Sequence, residues 1–179
     1  MSRLERGFAV CYLNRCNRSG IIMNGGPIGG INQAGKWKLD ARFNKSDLGR
    51  RCKKVAEYRD RIHVSRYDGI KLIETLDARA TFFFIEPPYF DKGKTLYLNA
   101  LDRDYHIDLA SRLQLMADAA WVLTYDDCPE IRDIYGGWTT IRPFSLQYAA
   151  AERRIGNEVL ITPKWMLLPA SQRSAAVVW

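Results

Sequence analysis

Apolar residues recur at helical spacing over 3–13, where Leu4, Phe8, Cys11 and Tyr12 share one side, and predict a helix. The period is lost from 14 to 45. Asn17-Arg18-Ser19-Gly20, Gly25-Gly26-Pro27 and Gly29-Gly30 are turn chemistry, so this stretch reads as a long irregular insert. Helical spacing returns over 46–59, with Ser46 as N-cap and Leu48, Cys52, Val55 and Ala56 as the inner stripe. Residues 61–67 alternate and predict a strand, and 69–77 a short helix. The continuous apolar run from Thr81 to Ile85 predicts a strand buried on both faces of a parallel sheet. A helix over 104–119 turns Leu109, Leu113 and Met116 inward. Ala120 to Thr124 is a second buried strand and 129–135 a short helix. Residues 139–148 and 157–162 form an antiparallel pair that turns through Glu152 to Gly156. The order of strands and helices predicts an α/β sheet closed by a C-terminal antiparallel hairpin. There is no internal repeat and no domain linker.

A hydrophobic share of 47% in 179 residues suits one domain with a sizeable core. Cys11, Cys16, Cys52 and Cys128 fit no zinc or redox spacing, and the two histidines, His63 and His106, lie far from them. No metal is expected, and a reduced, cytoplasmic setting fits best. There is no signal-peptide core, and no apolar run approaches the ~20 residues that span a bilayer, so no membrane partner is expected. The net charge of +7 is concentrated in the N-terminal part. Met1 to Asp68 holds 15 Lys and Arg against 6 Asp and Glu, whereas the remainder holds 12 against 14. One basic face meeting a polyanion is one reading, and a solvated basic surface is the other. The insert adds aromatic residues among its cations (Arg15, Arg18, Lys36, Trp37, Lys38, Arg42, Phe43 and Lys45), a mixture suited to phosphate contacts and base stacking.

The most specific chemistry is Glu86-Pro87-Pro88-Tyr89 at the end of the second predicted strand. Ligands of open α/β sheets bind just beyond the carboxyl ends of strands. Two prolines fix the backbone and leave carbonyls free to accept. An acid before them adds an acceptor, and an aromatic after them adds a flat surface. Together they make a clamp for a planar group with an amino donor, such as an adenine edge, provided the base leaves the duplex. A proline turn with Tyr89 merely packed is the alternative.

Phe84-Ile85-Glu86-Pro87-Pro88-Tyr89-Phe90 resembles the Asp-Pro-Pro-Tyr motif of amino-methylating DNA methyltransferases. Tyr12-Leu13-Asn14-Arg15 with Ser19-Gly20, followed by Asp40-Ala41-Arg42-Phe43-Asn44, resembles the Dam-type, adenine-specific family in the same order. Phage and prophage members look similar through Lys92-Gly93-Lys94 and Trp121-Val122-Leu123-Thr124-Tyr125. The resemblance runs from about residue 6 to about residue 168.

That resemblance implies a partial Rossmann-like methyltransferase sheet over 1–179, with a DNA-recognition insert at 14–60. It implies transfer of a methyl group from S-adenosylmethionine to the N6 amino group of a flipped adenine in double-stranded DNA, often beside a restriction partner. Glu86 and the carbonyl of Pro87 would hold the amino group, Pro88 would fix the turn, and Tyr89 would stack on the base. The amino nitrogen would attack the sulfonium methyl directly, by positioning and charge stabilisation. Asp68 and Glu86 would lie near the cofactor, although a strand-end Asp is also a common helix cap. Asn14, Arg15, Arg18, Lys36, Lys38 and Arg42 would approach DNA.

The chain departs from the family pattern twice. Position 86 is Glu where the family has Asp, and this predicts reduced turnover. The family's glycine-rich cofactor turn should precede Tyr12, and the residues before Tyr12 contain none. The reading that follows is a truncated or split enzyme, unstable and prone to aggregate alone. Either another polypeptide supplies the missing half, or the sheet closes up differently, or the reading frame is truncated. A catalytically dead DNA-binding fragment is the alternative.

Overall fold

The computed structural model describes residues 1–22, 24–91, 101–148 and 154–168, and these fall into two compact units.

The first unit comprises Met1–Ser65. Helix α1 (Arg3–Cys16) opens with a capping box, in which Ser2 accepts from the Glu5 N–H and Glu5 accepts from the Ser2 N–H. It runs three residues past its expected end, so Asn14 and Arg15 are helical and not part of an irregular segment. Nothing breaks the helix before Asn17, whose extended backbone ends it. Leu4 and Phe8, on the apolar side of the helix, are exposed.

The turn-rich stretch after a short 3-10 turn (Arg18–Gly20) is organised by one side chain. The Gln33 amide donates to the carbonyls of Ile28 and Gly30 at 2.8 and 2.7 Å and accepts from the Leu39 N–H at 2.8 Å. Gly29 is required here. Its φ is +86°, and a Cβ would stand 2.6 Å from the Trp37 carbonyl.

Helix α2 (Lys45–Ala56) starts earlier than expected. Asn44, not Ser46, is its N-cap, and the Asn44 side chain accepts from the Asp47 N–H at 3.0 Å. Of its expected inner stripe only Leu48 is half-buried, Cys52, Val55 and Ala56 are exposed, and no residue of α2 is buried. Among the described residues of this unit only Cys16 and Asn17 are buried, so helical spacing finds no core to face.

Of residues 61–67, expected to form a strand, Arg61 ends a 3-10 turn and 62–67 take no regular structure and pair with no strand, and Val64 is 90% exposed. Alternation specifies a strand only where a neighbour takes up its N–H and C=O groups. No described residue does so.

The second unit holds a mixed α/β arrangement with a four-stranded sheet. Its strands are β1 (Phe82–Ile85), β2 (Ala120–Asp126), β3 (Thr139–Tyr148) and β4 (Arg154–Pro163), in the order β1-β2-β4-β3. β1 and β2 are parallel, in register Phe82 to Ala120. β2–β4 and β4–β3 are antiparallel. β2 is central and reads accordingly, with every residue from Trp121 to Asp126 buried. Helix α3 (Gly69–Thr75) contributes Ile70 and Ile73 to the core, α4 (Arg103–Leu115) Leu109 and Leu113, and α5 (Pro129–Tyr135) Ile131 and Tyr135. They pack with Phe83, Trp121, Leu123, Val159 and Ile161 from the sheet.

Two expectations fail in the sheet. β1 is not buried on both faces: Phe83 is covered, but Phe82 and Phe84, which point to the opposite face, are 58% and 60% exposed, so no described residue covers that face at this edge strand. The hairpin is longer than expected. β4 begins at Arg154 and pairs as far as Tyr148, so 154–156 belong to the strand and not to the turn. The segments Lys92-Gly93-Lys94 and 152–153 lie outside the described residues. No helix among the described residues is long and apolar enough to cross a membrane.

Candidate active site

β1 ends at Ile85, and the chain leaves the sheet through Glu86, Pro87 and Pro88, all in trans linkage. Neither proline can donate to a further ladder bond, so pairing with β2 stops there. The Glu86 side chain is exposed and makes no hydrogen bond or ion pair among the described residues. No described donor reaches the Pro87 carbonyl. Both acceptors expected to grip an amino group therefore stand open.

The rest of the loop is held down. The Tyr89 hydroxyl donates to Glu158 Oε2 at 2.9 Å and stands 3.3 Å from Thr124 Oγ1. The Tyr89 ring packs against the core, 6.1 Å from the Tyr125 ring. The next two N–H groups, of Phe90 and Asp91, each donate to one oxygen of the Asp126 carboxylate, at 3.1 and 3.0 Å. Three consecutive residues are thus tied to β2 and β4. Behind them, the buried His106 Nδ1 is hydrogen-bonded to the Tyr125 hydroxyl at 2.7 Å, and its ring packs 5.2 Å from Phe90.

Burial dominates the electrostatics. It raises the Tyr89 phenol above its ordinary range, with Glu158 and Glu86 adding smaller contributions. Burial also raises Tyr125 and Tyr135, which reinforces their role as neutral hydroxyls. The Cys128 thiol, close by on the sequence, is pushed up to about 11, first by burial, and is no thiolate at neutral pH.

Thr124, Asp126 and Glu158 were not among the candidate site residues read from sequence, although Thr124 lies in a segment that carries the resemblance. Glu158 carried a weak signal: it is an acid inside the apolar run of β4, where only a specific partner offsets the burial. Asp126 ends a buried strand, but its partners are backbone groups 36 and 35 residues away, which no pattern discloses.

Asp68 is the N-cap of α3. Its Oδ1 accepts from the N–H groups of Ile70 and Lys71 at 3.0 and 3.3 Å. It also faces the Tyr105 hydroxyl, and burial first, then the Asp68 charge, raises the Tyr105 phenol. Two surface hollows, one along α2 and one between α4 and α5, include none of Glu86, Pro87, Pro88 or Tyr89. Asp68 is engaged in capping, and Glu86 stands alone.

The residues expected on DNA all belong to the first unit. Several brace that unit itself: Asn14 Nδ2 donates to the Gly20 carbonyl, Arg18 Nε to the Gly25 carbonyl at 3.1 Å, and Lys38 Nζ to the Gln33 carbonyl. Lys36 lies 5.7 Å over the Trp37 ring. Arg15 and Arg42 make no ion pair among the described residues. No family model matches the chain, and comparison with characterised proteins gives no match.

Proposed function

We propose that this chain belongs to a DNA adenine methyltransferase, a site-specific enzyme that transfers a methyl group from S-adenosylmethionine to the N6 amino group of a flipped adenine in duplex DNA. The observation that carries this reading is the division of labour in the loop after β1. Its acceptors, Glu86 and the Pro87 carbonyl, are open, while Tyr89 to Asp91 are fixed by Glu158 and Asp126. A rigid loop that presents two adjacent acceptors suits an exocyclic amino group with its two hydrogens. Preorganisation of this kind is what positioning catalysis requires. Tyr89 would offer the uncovered part of its ring to the base. The Rossmann-like character of the sheet is part of the same proposal, resting on the parallel β1–β2 pair with the loop at its carboxyl end.

The test is incubation of the chain with labelled S-adenosylmethionine and duplex DNA, followed by nucleoside analysis. Label in N6-methyladenine that disappears in Glu86→Ala supports the reading. Base capture is read separately, from the fluorescence of 2-aminopurine in a duplex, which rises as the base leaves the stack. No rise with the wild-type chain overturns the proposal.

The engaged Asp68 favours a second reading, in which the chain binds DNA and holds the base but needs a second polypeptide to bind the methyl donor. Base capture without transfer, followed by transfer on adding that polypeptide, would distinguish it.

A further inference from the structure

No residue of helix α2 is buried, and only Asp47 and Leu48 are half-buried, although a 12-residue helix is only marginally stable in water without packing. Between Lys45 and Arg61 the chain carries seven Lys and Arg against three Asp and Glu. The cations are not scattered. Lys45, Lys53, Arg50 and Lys54 lie within one half of the helix surface, with Ser46 and Gly49 between them. A Cβ at Gly49 would meet nothing within 4 Å, so the centre of this face is low and open. The face borders a surface hollow of about 630 Å³ whose wall includes Lys45, Ser46, Gly49, Arg50 and Lys53.

Lys45 and Lys53 make no ion pair among the described residues. Arg50 pairs with Asp47 and Lys54 with Glu57, at solvent-exposed positions where an ion pair is weak and readily exchanged. This contrasts with the turn-rich stretch before α2, where Arg18 and Lys38 are spent on that segment's own carbonyls.

We propose that the basic face of α2 docks on the phosphate backbone of duplex DNA. The proposal deepens the reading of this chain as one that acts on DNA and takes its partner from that reading. Charge complementarity decides the occupant. Lys45 and Lys53 stand roughly 12 Å apart along the axis, and a DNA strand presents a phosphate about every 3.4 Å. A membrane surface fits poorly. The opposite stripe is only Leu48, Cys52 and Val55, too narrow and without the large aromatic anchors of an interfacial helix. Lysines that meet phosphates give affinity and register without reading sequence.

The experiment is the binding of the full chain to a random-sequence DNA duplex over a range of salt concentrations. The plot of log affinity against log salt is expected to lose about one unit of slope for each of Lys45→Ala and Lys53→Ala. Lys53→Arg should restore it, and Lys71→Ala, outside this face, should leave it unchanged. Unchanged slopes in both α2 variants, with helix content intact by circular dichroism, overturn the proposal. Tighter capture by phosphatidylserine vesicles than by DNA, dependent on the same lysines, overturns it in favour of a membrane. Methyl transfer is measured in parallel. Transfer with unaltered slopes defeats the α2 proposal alone, and altered slopes with neither transfer nor base capture defeat the methyltransferase reading alone.

Discussion

Asp126 at the end of β2 stands directly across from Glu158 on β4, and each carboxylate grips the loop that follows β1. Residues opposite each other in an antiparallel pair point to the same face, and two like charges there repel. The two acids persist in buried positions because donors from Tyr89, Phe90 and Asp91 reach them. The motif and the sheet therefore stabilise one another.

Removing one grip should loosen the loop. Asp126→Ala leaves the Phe90 N–H buried without its acceptor, and a buried unsatisfied donor costs about 1–3 kcal/mol. Urea denaturation should show a loss of that size. Amide hydrogen exchange at 90 and 91 should accelerate more than exchange in β2. Equal protection at these amides in the variant would show that Asp126 does not hold them.

Alkali should unfold the second unit early. Tyr89, Tyr125 and Tyr135 all have raised phenol pKa values, with burial as the leading cause. Their unfolded counterparts ionise near about 10. Below that pH both states keep the proton and stability is complete. Above it the unfolded chain releases protons first, so stability falls as pH rises toward the folded values. Thermal melts across this range should decline from about pH 10 upward; exposed tyrosines such as Tyr67 ionise first, and the tyrosinate absorbance of the buried phenols should appear together with unfolding. Tyrosinate from all nine tyrosines without unfolding would contradict it.

Shortening the acid should help the chemistry. Glu86 carries its carboxylate one methylene further than an aspartate would, and a ~1 Å misplacement costs up to about 100-fold in rate. Glu86→Asp is expected to raise methyl transfer, with the unfolding midpoint unchanged because the side chain is exposed and unbonded. A rate equal to or below that of wild type refutes this.

What could be read from the sequence depended on whether a signal was local. The strand over Thr139–Tyr148 and the helix over Pro129–Tyr135 are where periodicity puts them, because their apolar faces meet a core. The same periodicity misleads at α2, where the face is left largely exposed, and at 62–67, where no described neighbour pairs the backbone. Asn44 and Ser46 are both sound caps, and only the dihedral angles and the Asp47 N–H choose between them. In the candidate site, Glu86 to Tyr89 are legible as a strand end with fixed backbone. Glu158 lies 69 residues from Tyr89, and only the antiparallel return of β4 brings them together.

Asp68 offers a simple separation of roles. If it serves only as the cap of α3, Asp68→Ala should cost about 1 kcal/mol in chemical denaturation, and Asp68→Asn or Asp68→Ser should recover most of it. Weaker uptake of S-adenosylmethionine in a fully stable Asp68→Asn chain would instead give its charge a part in holding the donor.

The N-terminal unit buries so little that it has a thermodynamic character of its own. With Cys16 and Asn17 its only buried described residues, its local opening should require little free energy, and a protease should cut it while the second unit stays whole. A polyanion that settles on such a unit must also order it. Calorimetry of DNA binding should then give a favourable enthalpy opposed by entropy, with a negative heat-capacity change larger than the contact area alone accounts for.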